Sequence, residues 1–244
     1  MDNGALSGVG YGGKSAWAAA FFGYLNGVER LPELDARTTT DSTVVGAQGQ
    51  VRAGGLSLGL MAAYDRAQAD TQRSAPGDIA ASGRYALKSW VADANISYYS
   101  RLDADWAVVP QLTASYVRTN RDGVAEQGGG AFALTVQGAR STNWFIDGRF
   151  EFDGGQAAGA ALHPFGWVGF VTRGGGQDGP VSASLNGLPV PLTADGLELD
   201  GLRAALGGGL RYDLSRRLKT SVSYDGEFGN NGRQRLMLGL NWAF

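Results

Sequence analysis

The chain has no cysteine, one histidine, no long apolar run and no excess of charge of either sign. Each deficit excludes a class of function. Without cysteine there is no disulfide scaffold and no thiol chemistry, and an oxidising compartment poses no risk of mispairing. One histidine and no cysteine leave no metal site of ordinary ligand type and call for no cofactor. No stretch of about 18 apolar residues exists, so no helix is expected to cross a bilayer. Lys+Arg 21 against Asp+Glu 23 gives a net charge of −2, which offers nucleic acid no electrostatic footing. The serines lack a histidine partner on the correct side for nucleophilic catalysis. His163, beside Pro164, reads as structural rather than catalytic. Gly174-Gly175-Gly176 and Gly207-Gly208-Gly209 lead into no helix, so neither is a phosphate loop. The second triplet reads as room for a bulky neighbour. No signal peptide precedes Met1-Asp2-Asn3, which is read as an excised mature segment with Met1 added.

Alternation is what the chain has in place of these features. Its last stretch places Leu236, Leu238, Leu240, Trp242 and Phe244 on one face. Arg235, Met237, Gly239, Asn241 and Ala243 fall on the other. The period is two, and about ten residues is the length a tilted strand needs to cross a bilayer. Working along the chain, residues 1–14 are Gly-rich without periodicity and read as a flexible lead-in. Ten strands follow within 15–244. The clearest sets Trp144, Ile146, Gly148, Phe150 and Phe152 against Asp147, Arg149, Glu151 and Asp153, interrupted by Phe145. The segment Leu162 to Arg173 is apolar on both faces and its orientation stays ambiguous. Pro110 lies within a strand and is expected at a gap in the ladder or at a bulge.

The connections sort by side. Those near 26–41, 68–83, 120–142, 174–200 and 229–234 are long and polar. Those at 53–55, 102–105, 154–159 and 215–217 are short. A soluble sandwich, with its charged rows as a solvated outer face, has no reason to sort its loops this way. An outer-membrane barrel does, with short periplasmic turns and long external loops. The fold class expected is therefore all-β: a transmembrane antiparallel up-and-down β-barrel of about ten strands, with twelve as the alternative. A mean hydropathy of −0.15 agrees, because every second residue faces water. The inner face is expected to carry Arg52, Asp65, Asp93, Arg101, Asp147, Arg149, Glu151, Arg203, Arg211, Asp213, Lys219, Asp225, Glu227 and Arg235. Their mixed signs predict ion pairs across strands, since unpaired charge in a narrow lumen is costly. Trp17, Trp90, Trp106, Trp144, Trp242 and Phe244 are expected at strand ends as interfacial girdles.

Several stretches resemble the translocator β-domain of autotransporters, the type V secretion proteins of Gram-negative bacteria. They are Glu126-Gln127-Gly128-Gly129-Gly130, Phe132-Ala133-Leu134-Thr135-Val136, Pro164-Phe165-Gly166-Trp167-Val168, Leu199-Asp200-Gly201, Gly207-Gly208-Gly209-Leu210, Ser223-Tyr224-Asp225-Gly226 and Leu240-Asn241-Trp242-Ala243-Phe244. The resemblance spans roughly residues 15–244. It implies a bacterial outer-membrane domain that anchors an N-terminal passenger for display or secretion. It also implies lipid as solvent, the barrel-assembly machinery as reader of the terminal strand, a passenger or linker in the lumen, and a monomer. Family members usually have twelve strands and a pore-plugging helix ahead of them; this chain departs from both. Ten strands give a backbone diameter of roughly 20 Å and twelve roughly 24 Å. Two rivals stand: an outer-membrane enzyme barrel, and a stand-alone pore or adhesin whose external loops bind ligand.

Overall fold

The computed structural model describes residues 3–32, 35–77, 79–155, 160–177, 180–195, 201–215, 218–229 and 232–242. Among these the chain forms strands β1 (Asn3–Gly12), β2 (Ala16–Leu31), β3 (Ala36–Ala53), β4 (Leu56–Ala75), β5 (Ile79–Tyr98), β6 (Ser100–Arg101), β7 (Ala107–Arg121), β8 (Val124–Ala125), β9 (Gln127–Gly128), β10 (Leu134–Val136), β11 (Ala139–Asp153), β12 (Leu162–Gln177), β13 (Val181–Leu185), β14 (Leu188–Ala194), β15 (Gly201–Asp213), β16 (Leu218–Phe228) and β17 (Arg233–Trp242). The main sheet runs β1-β2-β3-β4-β5-β7-β11-β12-β15-β16-β17, with β6 on β7 and β9 on β5. Every pairing along this path is antiparallel. The architecture is an up-and-down meander with no crossover, as the alternation predicts.

Register turns the alternation into two faces. Gly49, Leu60, Ala94, Ala114 and Ile146 lie in one row across β3, β4, β5, β7 and β11. The adjacent row holds Gln48, Met61, Asp93, Ser115 and Phe145. The apolar row is the better exposed of the two; the polar row is partly shaded by its neighbours. A soluble protein does the reverse. Such an inverted wall is what a curved sheet with a wet concave face and a lipid-facing convex face requires.

Three expectations are corrected. Residues 3–12, expected as part of a flexible lead-in, form β1 and pair with β2 from Asn3↔Asn26 to Gly12↔Trp17. Glycine hides this strand from any hydrophobic pattern, yet its backbone groups pair as well as any other residue's. The path consequently holds eleven strands rather than ten. The long polar connections also shrink. β2 and β3 stay paired to Leu31↔Ala36, and β4 and β5 to Ala75↔Ile79. Much of what reads as loop is hairpin that continues past the apolar belt, polar on both faces.

Two smaller expectations are met. On the β5 side of β7, pairing stops at Gln111 and resumes with β6 at Val108, so Pro110 sits in the break. Gly207 faces Trp167 across the ladder, and a Cβ there would lie 2.5 Å from the indole Nε1. Phe244, Leu199-Asp200, the turn residues 156–159 and 216–217, and loop residues 230–231 lie outside the described residues.

Candidate functional site: the polar wall, its mouth and its edges

The inner face divides in two. From β2 to β7 it carries mostly neutral hydrogen-bonding groups. Trp17 Nε1 donates to Gln50 Oε1 at 3.0 Å, and Gln50 Nε2 to Ser57 Oγ at 2.7 Å. Ser42 donates to Asp65, Ser115 Oγ to Asp93 at 2.5 Å, and Asn95 to Thr113 at 2.9 Å. Trp17, expected in an outer girdle, thus stands on the inner row opposite Gln50. Strand β2 has apolar residues in both rows, so composition alone does not orient it.

From β11 to β17 the wall is charged, with pairs across strands and, at Arg149 and Asp147, one within β11. Arg149 binds Asp147 at 2.6 and 2.5 Å, and its guanidinium lies 4.1 Å from the Trp167 ring centroid. Arg211 reaches two strands across to Asp153 at 2.6 Å. Lys219 meets Asp213 at 3.1 Å, with His163 Nε2 at 3.8 Å from the same carboxylate. Arg235 meets Asp225 at 3.3 Å, and Glu151 accepts from Gln111 at 2.7 Å. Arg52 lies on this face opposite Ser57 near the short-turn end. Arg101 instead braces its own turn, donating to the carbonyls of Asp103 and Ala104. The most enclosed cluster is Glu227, which accepts from Arg173 at 3.0 and 2.9 Å with Arg203 at 3.5 Å. Arg173 escaped the sequence reading because its strand is apolar on both faces; only the register assigns it inward, opposite Phe145.

The long-loop mouth is ordered by a second sheet, β14-β13-β10-β8. It ties segment 122–138 to the hairpin 181–194 through Leu134↔Leu185 and Val136↔Ala183. Glu126, nearly buried, anchors it to the wall: Arg73 donates to its two oxygens at 2.9 and 2.6 Å, and the Leu134 N–H at 2.8 Å. Two of its strands, β8 and β10, have two and three residues and are too short to carry a periodic signal. The only hint in the sequence is the alternation within Phe132–Val136.

On the convex face, aromatics form two rows. Phe22, Tyr64 and Trp90 share a level through the β2–β5 register, and the Tyr64 and Trp90 ring centroids are 4.7 Å apart. Tyr98, Phe152 and Tyr212 occupy the short-turn end of the same face. At about 3.4 Å per residue and a tilt near 40°, the stretch from Trp90 to Tyr98 rises about 21 Å. That is close to the apolar band, about 25 Å tall, of outer-membrane barrels. Beyond Tyr64 and Trp90 the same face carries Arg66 and Lys88, which marks the end of hydrocarbon. Further out, Asp41 accepts from Tyr24 and Asn26 at 2.6 Å each, and these bonds, Tyr24's first, hold its carboxyl below the usual range.

The strands β1 and β17 are the two edges of the sheet, and among the described residues neither is paired on its far side. Leu236, Leu238 and Leu240 stand on the convex row of β17, with Trp242 opposite Leu218 in the same register. Among the described residues no group of three or more His, Asp or Glu side chains has the geometry to hold a metal ion.

Comparison with known proteins agrees with this architecture. The family model of the autotransporter beta-domain matches residues 3–225. The translocator domain of the autotransporter NalP from Neisseria meningitidis is similar in structure, with a TM-score of 0.61 at 16% identity, over 100% of this chain and 82% of that one. The transport unit of the autotransporter AIDA-I from Escherichia coli gives 0.56 at 15% identity, over 100% and 83%. The ferric yersiniabactin uptake receptor FyuA from Yersinia pestis gives 0.56 at 10%, over 100% of this chain but 43% of that one. No curated protein matches the sequence.

Proposed function

This chain belongs to the autotransporter beta-domain family, and from that premise we propose that its charged concave wall holds the linker of an N-terminal passenger inside the lumen. The domain is an outer-membrane translocator of an autotransporter. Its solvent is lipid on the convex side and water on the concave side. The observation that carries the lumen reading is the division of the inner face. One half is lined mostly with amides and hydroxyls, the other with charges paired within a strand, with the next strand or two strands across. Neutral hydrogen-bonding groups satisfy the backbone of a passing chain without selecting its sequence. Paired charges keep the wall rigid and avoid a net field that would trap a segment of one sign. In this reading the domain performs no catalysis, acts as a monomer, and presents Leu236, Leu238, Leu240, Trp242 and Phe244 to the barrel-assembly machinery.

The test is charge reversal on the wall. Arg149→Glu with Arg211→Glu is expected to lower protease-accessible passenger on intact cells while the heat-modifiable barrel band persists. Unchanged passenger exposure with an intact barrel refutes the lumen role. A second reading, an adhesin with ligand-binding loops, draws support from the ordered sheet at the mouth. Planar-bilayer conductance separates the two, because a plugged translocator is nearly silent.

A further inference from the structure

Just past the aromatic row of Phe22, Tyr64 and Trp90 the convex face turns basic, but in one sector only. Arg66 on β4 stands opposite Lys88 on β5, one step beyond Tyr64↔Trp90 on the same face. Arg118 on β7 stands opposite Trp90, and Arg140 on β11 lies further out, its Nε donating to Asn120 Oδ1 at 2.8 Å. Strands about 4.8 Å apart and tilted about 40° step by about 3 Å in height from one to the next. The step climbs from β4 to β11: the row through Leu58, near the start of β4, reaches Gly148, well short of the end of β11 at Asp153. Arg66, Lys88 and Arg118 therefore lie within about 3 Å of one height.

This cluster is short of counter-charge. Among the described residues Arg66 and Arg118 have no hydrogen-bond or ion-pair partner, and Lys88 comes no closer than 4.0 Å to Asp122. The next carboxylates outward on this face are committed elsewhere: Asp70 binds Arg84 at 2.6 Å, and Asp41 takes Tyr24 and Asn26. The rest of the wall differs. Among the described residues the convex rows of β12, β15, β16 and β17 hold no Lys or Arg. Cations that merely marked the interface would be spread around the wall. Beneath the cluster the surface is hollow. Ala62, Ala92, Ala94 and Ala114, rimmed by Tyr116 and Trp144, line an apolar trough of about 810 Å³.

We propose that Arg66, Lys88 and Arg118 bind the phosphate of an anionic lipid in the external leaflet, with an acyl chain lying in the alanine-lined trough below. The two guanidinium groups match phosphate oxygens with paired N–H donors, and the ammonium adds a point charge. All three side chains are long enough to lay their stems on apolar surface and hold their charge at headgroup level. The occupant's chemistry follows from the two halves of the surface. A free phosphate satisfies the cations and leaves the trough empty. A zwitterionic lipid fills the trough but brings its own cation into a basic cluster. Only a lipid of net negative charge meets both. The proposal rests on the membrane-spanning fold and is independent of the lumen role.

The absence of native cysteine allows a local reporter. Thr43→Cys, opposite Arg66, carries a fluorophore beside the cluster, and Leu202→Cys on β15 carries it in the neutral sector. The full chain is folded into phosphatidylcholine vesicles holding a trace of doxyl-labelled phosphatidic acid or doxyl-labelled phosphatidylcholine as quencher. Each surface cation favours an anionic lipid by about a factor of five, so phosphatidic acid is expected to be enriched about a hundredfold at Thr43. At Leu202 the two lipids are expected to quench alike. Arg66→Gln with Lys88→Gln should cut the enrichment about 25-fold and Arg118→Gln about fivefold, while the charge-keeping Arg66→Lys with Lys88→Arg retains it. Arg30→Gln with Arg37→Gln, a facing pair further out, is the charge-matched control and should leave it unchanged. Equal quenching by the two lipids at Thr43, equal enrichment at Leu202, or an equal loss from the outer pair overturns the proposal. The unsubstituted cluster decides the matter where a glutamine variant fails to fold. Inorganic phosphate, at an ionic strength matched with sodium chloride, is expected not to displace the labelled phosphatidic acid. Displacement by phosphate alone overturns the lipid in favour of a free anion.

Discussion

Replacing Glu227 tests how the inner wall is held. Its carboxylate takes two bonds from Arg173 Nη2 and faces Arg203 at 3.5 Å. The Glu227 side chain is only 7% exposed, against 21% and 15% for its two partners. Glu227→Gln keeps the volume but removes the carboxylate that the Arg173 and Arg203 guanidinium groups face. Breaking a buried pair in this way costs about 3–5 kcal/mol, and partial access of lumen water places the expectation near the lower figure. With a urea slope of about 3 kcal/mol/M, a loss of ~3 kcal/mol moves the unfolding midpoint down by about 1 M. The control is Arg84–Asp70 on the protruding hairpin, at 2.6 Å a shorter contact but 69% and 40% exposed. Solvent screening makes Asp70→Asn nearly silent despite its shorter contact. The assay is equilibrium unfolding in lipid vesicles followed by tryptophan fluorescence. Removing one guanidinium as well, with Arg173→Met on top of Glu227→Gln, is expected to recover part of the loss. Equal midpoints for Glu227→Gln and Asp70→Asn would refute the claim that enclosure, rather than distance, sets the strength of these pairs.

On the convex face, Val168→Arg is expected to cost about 2–4 kcal/mol by the same assay, because it places charge in hydrocarbon; Ser221→Arg on the concave face is expected to be tolerated. Gly46→Ala would set a Cβ 2.3 Å from Phe21 Cζ and is expected to destabilise by about 1–3 kcal/mol, with a Phe21→Leu second change restoring part of it. Asp41 has a folded-state pKa below its unfolded value, so its contribution is present above the unfolded pKa and disappears as pH falls through the folded one. Carboxyl NMR should show that depressed midpoint, and Tyr24→Phe should raise it. Arg73→Ala removes the anchor of Glu126 and is expected to speed protease cleavage within 122–138 without shifting the global midpoint.

Legibility followed the solvent. Where lipid touches the chain, each strand must alternate, and Leu56-Leu58-Leu60 or Trp144–Phe152 could be read directly. Above the belt water wets both faces, so Thr38 can pair with Thr71 and Arg84 with Asp70 without leaving a hydrophobic trace. The sequence shows those hairpins only as polar stretches. Strand β1 escaped for a different reason: four of its ten residues are glycine, and its partner supplies the bulk. Arg101, expected on the inner face, braces its own turn because it lies at the strand end beside Asp103 and Ala104. Arg173 was missed because Val168, Phe170 and Val171 make its strand apolar on both sides. Trp17 was misassigned because Ala18, Ala19 and Ala20 give no sense of which side is out.

The hairpin of β4 and β5 has 20 residues in each strand. At about 3.3 Å per residue and a tilt near 40°, it stands about 50 Å high, of which the hydrocarbon covers about half. The remainder forms a stiff parapet, and under the proposed lumen role a passenger chain leaves it well clear of the headgroups. Whatever it becomes outside, it begins to fold in bulk water rather than against the membrane surface.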